Sequence, residues 1–66
     1  MNVDVNGAVR ELPDGTTLHE LILDAMGTLR GSAAAVDGEV VPRSDWETFH
    51  VRDGQRVELI TAVQGG

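Results

Sequence analysis

The sequence predicts an α+β fold in which one main helix packs on one face of a mixed β-sheet. Two hairpin turn signals, Asn6-Gly7 and Asp37-Gly38, each lie between short apolar stretches. Only residues 17–26 show the apolar spacing of a longer helix. Residues 56–63 are apolar on both sides except near their start, which is typical of a strand in the middle of a sheet.

The chain is expected to open with a β-hairpin. Val3 and Val5 alternate with polar residues, and an apolar pattern resumes over residues 8–12 after the Asn6-Gly7 turn. The helix is expected next, because Thr17 and Glu20 have the spacing of a capping box. Its apolar residues fall on one side, and Gly27 suits the left-handed position after its end. That apolar side consists of Leu18, Leu21, Ile22 and Ala25.

The second half of the chain predicts another hairpin and then one helical turn. Residues 33–36 and 39–41 flank the Asp37-Gly38 turn, and Pro42 ends the outgoing strand. Ser44 and Glu47 again match a capping box, which predicts a helical turn over residues 44–48. This turn would direct the two aromatic residues, Trp46 and Phe49, into the core.

The last strand has two distinguishable faces. Glu58 is expected on the outer face because an unpaired carboxylate is costly to bury, and Ile60 and Ala62 alternate onto that same face. Val57, Leu59, Thr61 and Val63 would then point inward. Ile60 and Ala62 would form an apolar spot next to the end of the chain, either a docking site or an ordinary exposed isoleucine.

The simplest arrangement of these elements places the last strand beside the first and parallel to it, with the helix crossing the other side. This is the β-grasp architecture of ubiquitin. A single β-grasp domain is predicted over residues 1–63, followed by a flexible C-terminal tail over residues 64–66 that ends in Gly-Gly.

Composition excludes several function classes. A chain of 66 residues is one small domain with little room for an enzyme cleft, and it contains no cysteine for disulfides or thiol catalysis. The net charge of −6 argues against nucleic acid as a partner. The opening residues resemble neither a signal peptide nor a membrane span, so a cytoplasmic monomer is expected. We expect no catalytic residue, bound cofactor or metal; the two histidines, His19 and His50, are expected at the surface.

The end of the chain is the most informative stretch. Gln64, Gly65 and Gly66 follow the last strand directly, and the absence of Cβ atoms lets the glycines pass through a narrow channel. A frayed terminus is the ordinary alternative. The pattern favours chemistry at the Gly66 carboxylate, with Glu58, Ile60 and Ala62 as the partner-binding face.

Several segments, in this order, resemble the ThiS family, the bacterial sulfur carrier proteins of thiamine biosynthesis. The resemblance implies that Gly66 is adenylated by an ATP-dependent partner enzyme. It also implies conversion to a thiocarboxylate by a persulfide sulfur donor and delivery of the sulfur to a thiazole synthase. The segments are Val3-Asp4-Val5-Asn6-Gly7, Thr17-Leu18-His19-Glu20-Leu21, Val40-Val41-Pro42-Arg43 with Trp46, Asp53-Gly54-Gln55-Arg56-Val57-Glu58, and Gly65-Gly66.

Other functions share the same fold. They are a sulfur carrier for molybdopterin or cysteine, a β-grasp module that binds a partner without reacting, and a protein modifier joined to target lysines. The chain itself contains no lysine, so a modifier of this sequence could not be built into chains through side-chain amines.

Overall fold

The computed structural model describes residues 1–61, which form five strands, one α-helix and one short 3₁₀ helix. The first half of the chain contains β1 (Asn2–Val5), β2 (Ala8–Glu11) and α1 (Leu18–Met26). The second half contains β3 (Ser32–Val36), β4 (Glu39–Val40), the 3₁₀ helix (Arg43–Asp45) and β5 (Arg56–Thr61). The predicted boundary between a domain over 1–63 and a tail over 64–66 lies outside the described residues.

The strands form one mixed sheet in the order β2-β1-β5-β3-β4. β5 is the central strand. It runs parallel to β1, with Val5 opposite Val57, and antiparallel to β3, with Ala34 opposite Leu59. The predicted β-grasp arrangement, with the last strand beside the first, is therefore confirmed.

Both predicted hairpin turns are present, and each uses a left-handed backbone at both central residues. Asn6 and Gly7 have φ values of 52° and 87°, and Asp37 and Gly38 have values of 49° and 87°. Asparagine, aspartate and glycine are the residues that adopt this conformation at low cost, which is why these pairs select tight hairpins.

The main helix begins and ends as the sequence predicts. The Thr17 side chain accepts a hydrogen bond from the Glu20 N–H, and the Glu20 carboxylate accepts one from the Thr17 N–H, which completes the capping box. At the other end Gly27 has φ of 76° and donates its N–H to the Leu23 carbonyl. No helix within residues 1–61 is long and apolar enough to cross a membrane.

The core lies between α1 and one face of the sheet. Trp46 is part of this core and is only 1% exposed. Its Nε1–H donates to the Val41 carbonyl at 2.9 Å. This bond satisfies the one polar atom that the indole takes into the core. Phe49 is only half-buried against this cluster. The core comprises Val3, Val5, Leu18, Leu21, Ile22, Ala34, Val36, Val41, Trp46, Val51, Val57 and Leu59.

The prediction of a second capping box at Ser44 and Glu47 is wrong. The 3₁₀ helix begins at Arg43, and its N-cap residue is Pro42, with no side-chain cap. Pro42 has φ of −59°, and its carbonyl accepts the Asp45 N–H, so the turn is already under way when the chain reaches Ser44. Ser44 therefore lies inside the turn and cannot act as its N-cap.

Two smaller details also differ from the sequence patterns. β4 ends at Val40 rather than at residue 41, although the N–H of buried Val41 still bonds the Ala34 carbonyl. Ala25, predicted on the buried side of α1, is only half-buried because it lies in the last turn of the helix.

Candidate partner-binding face and the base of the tail

The two faces of β5 differ as the sequence predicts as far as Ile60, but Thr61, predicted to point inward, is exposed at the end of the strand. Val57 and Leu59 are buried against α1, with Leu59 only 6% exposed. Glu58 and Ile60 point to the opposite side, where Ile60 is 58% exposed. The described part of the proposed partner-binding face therefore lies on the face of the sheet that α1 does not cover.

Ile60 is part of a larger apolar area. Its partner on β3 is Ala33, while Ala35 lies opposite Glu58 on one side and opposite Val40 on the other. Val40 is 76% exposed. We refer to Ala33, Ala35, Val40 and Ile60 as the outer patch; it spans β5, β3 and β4 on the uncovered face.

Sequence reasoning identified Ile60 but missed Val40. The signal was available in the second hairpin, because once the Asp37-Gly38 turn fixes the register, Val40 must face the same side as Ala35. The neighbouring Val41 then turns inward and joins the core. Two adjacent valines thus belong to opposite sides of the protein.

Charged residues separate the outer patch from the other edge of the sheet. Asp4 on β1 lies opposite Arg56 on β5, and Glu58 follows on the same face. Beyond Asp4, the register places Val9 of β2 on this face, where it is 71% exposed. The uncovered face therefore carries an isolated valine at one edge and a continuous apolar area near the end of β5.

The end of β5 is held from both sides. On the β3 side, Ser32 lies opposite Thr61, the last residue the structure describes. On the β1 side, the Asn6 side chain makes two hydrogen bonds to Leu59. Asn6 Oδ1 accepts the Leu59 N–H at 2.8 Å, and Asn6 Nδ2 donates to the Leu59 carbonyl at 3.2 Å. Sequence reasoning gave Asn6 a role only in the turn.

The other predicted site residues, Ala62, Gln64, Gly65 and Gly66, lie outside the described residues. The adenylation of Gly66 and the role of the tail therefore stay predictions.

The charged groups of residues 1–61 form no cluster of three or more histidine, cysteine, aspartate or glutamate side chains that could hold a metal ion. The pKa of Glu20 is lowered, first by the hydrogen bond from the Thr17 N–H and then by the Thr17 hydroxyl. Desolvation opposes this shift, and the nearby His19 and His50 contribute weakly in its direction. Because Glu20 lies at the start of α1, this shift belongs to helix capping rather than to a reactive site.

Comparison with known proteins gives one consistent result. Residues 3–66 match the model of the ThiS family. The sulfur carrier protein ThiS of Escherichia coli strain K12 is 30% identical over 66 residues, which covers all of both chains.

Two solved structures are also similar. The crystal structure of the thiamine biosynthesis protein ThiS from Geobacter metallireducens has a TM-score of 0.79 and 28% identity, with both chains fully covered. The NMR solution structure of a thiamine biosynthesis protein from Geobacter metallireducens has a TM-score of 0.75 and 28% identity, covering all of this chain and 88% of that one.

Proposed function

The chain belongs to the ThiS family, and from that membership we propose that it is a sulfur carrier of thiamine biosynthesis whose reactive group is the Gly66 carboxylate. The observation that carries the proposal is the position of the outer patch. Ile60 is exposed on the uncovered face only a few residues before Gly66. Docking through this patch would therefore bring the end of the chain to the partner enzyme.

The first chemical step activates an unreactive group. A carboxylate is a poor acyl donor because its leaving group would be oxide. An oxygen of the Gly66 carboxylate attacks the α-phosphorus of ATP in the partner enzyme, and the bond to the β-phosphate oxygen breaks to release pyrophosphate. The resulting acyl adenylate has AMP as a good leaving group. The role of this chain is to present the carboxylate in line with the phosphorus.

The second step introduces sulfur. The terminal sulfur of a persulfide on the donor enzyme attacks the acyl carbon, and AMP leaves. A second thiolate then attacks the donor-side sulfur of the resulting acyl disulfide. A new disulfide forms on the donor enzyme, and the thiocarboxylate on Gly66 leaves for transfer to the thiazole synthase. The chain itself contains no cysteine, so none of its own thiols can compete for the acyl adenylate.

In this proposal the chain is a substrate of other enzymes and not itself a catalyst. Its partners are an ATP-dependent adenylating enzyme, a persulfide donor and a thiazole synthase, and ATP is bound by the adenylating partner. The proposed site of action is the cytoplasm. The same fold and outer patch would also suit a carrier for molybdopterin or cysteine synthesis, a non-reacting interaction module or a protein modifier.

Intact mass spectrometry of the protein purified from its native cells separates these functions. Replacement of one oxygen by sulfur is expected for a carrier. Attachment to other proteins would indicate a modifier, and an unchanged mass in every growth condition would contradict both.

A complementation test then examines the position of the reactive group and the pathway. Variants that lack Gly66, or that carry one additional residue after it, are supplied to cells without their own thiamine sulfur carrier. Both are expected to fail to restore growth without thiamine. An added residue moves the carboxylate by up to about 3.5 Å, which is comparable with the separation of reacting atoms.

Wild-type protein is the positive control. Growth with an extended variant whose mass shows no trimming would contradict chemistry at this terminus. Failure of the wild type, together with a thiocarboxylate on its mass, would instead point to another sulfur pathway.

A further inference from the structure

Each hairpin turn of the sheet contacts β5 through the side chain of its first left-handed residue. Asp37 Oδ1 accepts the Arg56 N–H at 2.9 Å, and the Asp37 N–H donates to the Arg56 carbonyl at 2.8 Å. Asn6 makes the two bonds to Leu59 described above. The two turns have similar φ values but hold opposite ends of the same strand, with Asp37 at its start and Asn6 near its end.

Asn6 extends the sheet past the point where the backbone of β1 turns away. The Asn6 N–H donates to the Val57 carbonyl at 3.0 Å, which is the last backbone bond from β1 to the described part of β5. The chain then enters the left-handed turn. The carboxamide of Asn6 continues the pattern to Leu59, since one oxygen acceptor and one N–H donor reproduce the groups of a backbone amide.

We propose that Asn6 is a positioning residue for the reaction at Gly66, an inference that rests on the proposed function. Its carboxamide fixes the Leu59 backbone, and Leu59 directly precedes the exposed Ile60 of the outer patch. Asn6 therefore fixes the backbone of β5 directly before the outer patch and before the segment that leads to Gly66.

A shift of the Leu59 backbone moves the base from which the rest of the chain extends toward the adenylating enzyme. Even a flexible tail then starts from a displaced point, and its carboxylate reaches the in-line position less often. A misplacement of about 1 Å at reacting atoms can reduce a rate roughly a hundredfold. Asn6 thus acts at a distance from Gly66, through the strand.

Asn6→Gly and Asp37→Gly form a matched pair of variants. Glycine adopts the left-handed backbone of either turn, so both hairpins are retained while each side-chain bond to β5 is removed. The first variant removes both side-chain bonds to the Leu59 backbone. The second removes the side-chain acceptor of the Arg56 N–H. Asn6→Asp is an intermediate variant, because its carboxylate keeps an acceptor for the Leu59 N–H but loses the donor to the Leu59 carbonyl.

Amide hydrogen exchange measured by NMR on the whole chain tests the structural step. In Asn6→Gly the Leu59 amide is expected to exchange about fivefold faster or more, beyond any change shared by the core amides. In Asp37→Gly the faster amide should be Arg56 instead. Unchanged exchange at Leu59 in Asn6→Gly would overturn the inference.

Pyrophosphate exchange catalysed by the adenylating enzyme from the same genome tests the functional step. Asn6→Gly is expected to lower kcat about fivefold or more with a smaller change in KM for the carrier, since the outer patch is retained. Asn6→Asp should recover part of the loss, and Asp37→Gly should keep the wild-type kcat.

Equal kcat values for Asn6→Gly and Asp37→Gly would overturn the positioning role. A wild-type chain that supports no exchange would instead contradict the proposed function, and the role of Asn6 in the reaction with it. The two failures are therefore distinguishable, because only the second affects the unmodified protein.

Discussion

The two faces of the sheet have opposite structural roles although they share the same strands. On the covered face, Val57 and Leu59 pack against α1 and are at most 6% exposed. On the uncovered face, Ile60 and Val40 are 58% and 76% exposed. Both faces carry apolar side chains, so composition alone does not distinguish them. The difference lies in which face α1 covers.

This comparison separates folding from recognition. Burial of apolar surface stabilises the protein by roughly 25 cal/mol per Å², and that gain is already realised on the covered face. The apolar surface of the outer patch is still exposed, so its burial can stabilise a complex with a partner protein. Substitutions on the two faces should therefore affect different measurements, although the residues are adjacent in sequence.

The largest expected difference is in stability between Leu59→Ala and Ile60→Ala. Leu59→Ala leaves a cavity under α1 and is expected to cost about 2–5 kcal/mol. Ile60→Ala removes an exposed side chain and should cost less than about 1 kcal/mol. Urea unfolding followed by Trp46 fluorescence measures both. The stability of a domain of this size is itself only about 3–10 kcal/mol, so the first variant should lose much of it.

Similar losses of stability in the two variants would contradict the distinction between a covered and an uncovered face. They would mean that the face carrying Ile60 is also covered in solution, for example by a second copy of the chain. Sedimentation of the wild type at the same concentration is the control, and a monomer is expected.

The sequence predicted the covered face better than the uncovered one, for physical reasons. Turn residues with left-handed backbones, the capping box at Thr17 and the alternation in β5 are local signals. The structure contains the turns and the cap, and it contains the alternation as far as Ile60. The second capping box failed because Ser44 and Glu47 match a spacing, while the preceding Pro42 had already fixed where the turn begins.

The site required information that local patterns lack. Val40 joins Ile60 only through the register of three strands, and Asn6 reaches Leu59 only because β1 and β5 are neighbours. These contacts link residues far apart in sequence. The Asn6-Gly7 motif predicts the hairpin correctly, but it does not indicate that the Asn6 side chain also bonds the Leu59 backbone.

An intermediate effect is expected on partner binding. Ile60→Asp and Val9→Asp each place a carboxylate on the uncovered face at an exposed apolar position. Both should fold, because neither side chain is in the core. Ile60→Asp is expected to weaken binding to the adenylating enzyme roughly tenfold or more, as charge in the centre of an apolar contact does. Val9→Asp should change it by less than about threefold.

Isothermal titration calorimetry with the adenylating enzyme measures both affinities. Equal weakening would show that the whole uncovered face docks, and the outer patch would lose its special status. Unchanged binding by folded Ile60→Asp would remove the patch from the mechanism altogether.

The smallest expected effect concerns the helix that covers the inner face. The pKa of Glu20 is lowered in the folded protein by hydrogen bonds from Thr17. A lowered pKa in the folded state means that the stabilisation is complete above the ordinary carboxyl range and is lost as pH falls through the lowered pKa. Glutamine at this position can accept the same backbone bond without titrating. Wild type should therefore be slightly more stable than Glu20→Gln at neutral pH, and this gap should close in acid.

Thermal unfolding of both proteins between neutral pH and strongly acidic pH measures the gap. Glu47→Gln is the matched control, because it removes one exposed carboxylate, and hence the same charge, outside the cap of α1. It measures how the loss of one exposed carboxylate outside the cap changes stability over the same pH range. A gap for Glu20→Gln that stays constant down to strongly acidic pH would show that the capping carboxylate does not stabilise α1 through its charge. The packing of Leu18, Leu21 and Ile22 would then hold α1 on the sheet without help from the charge of Glu20.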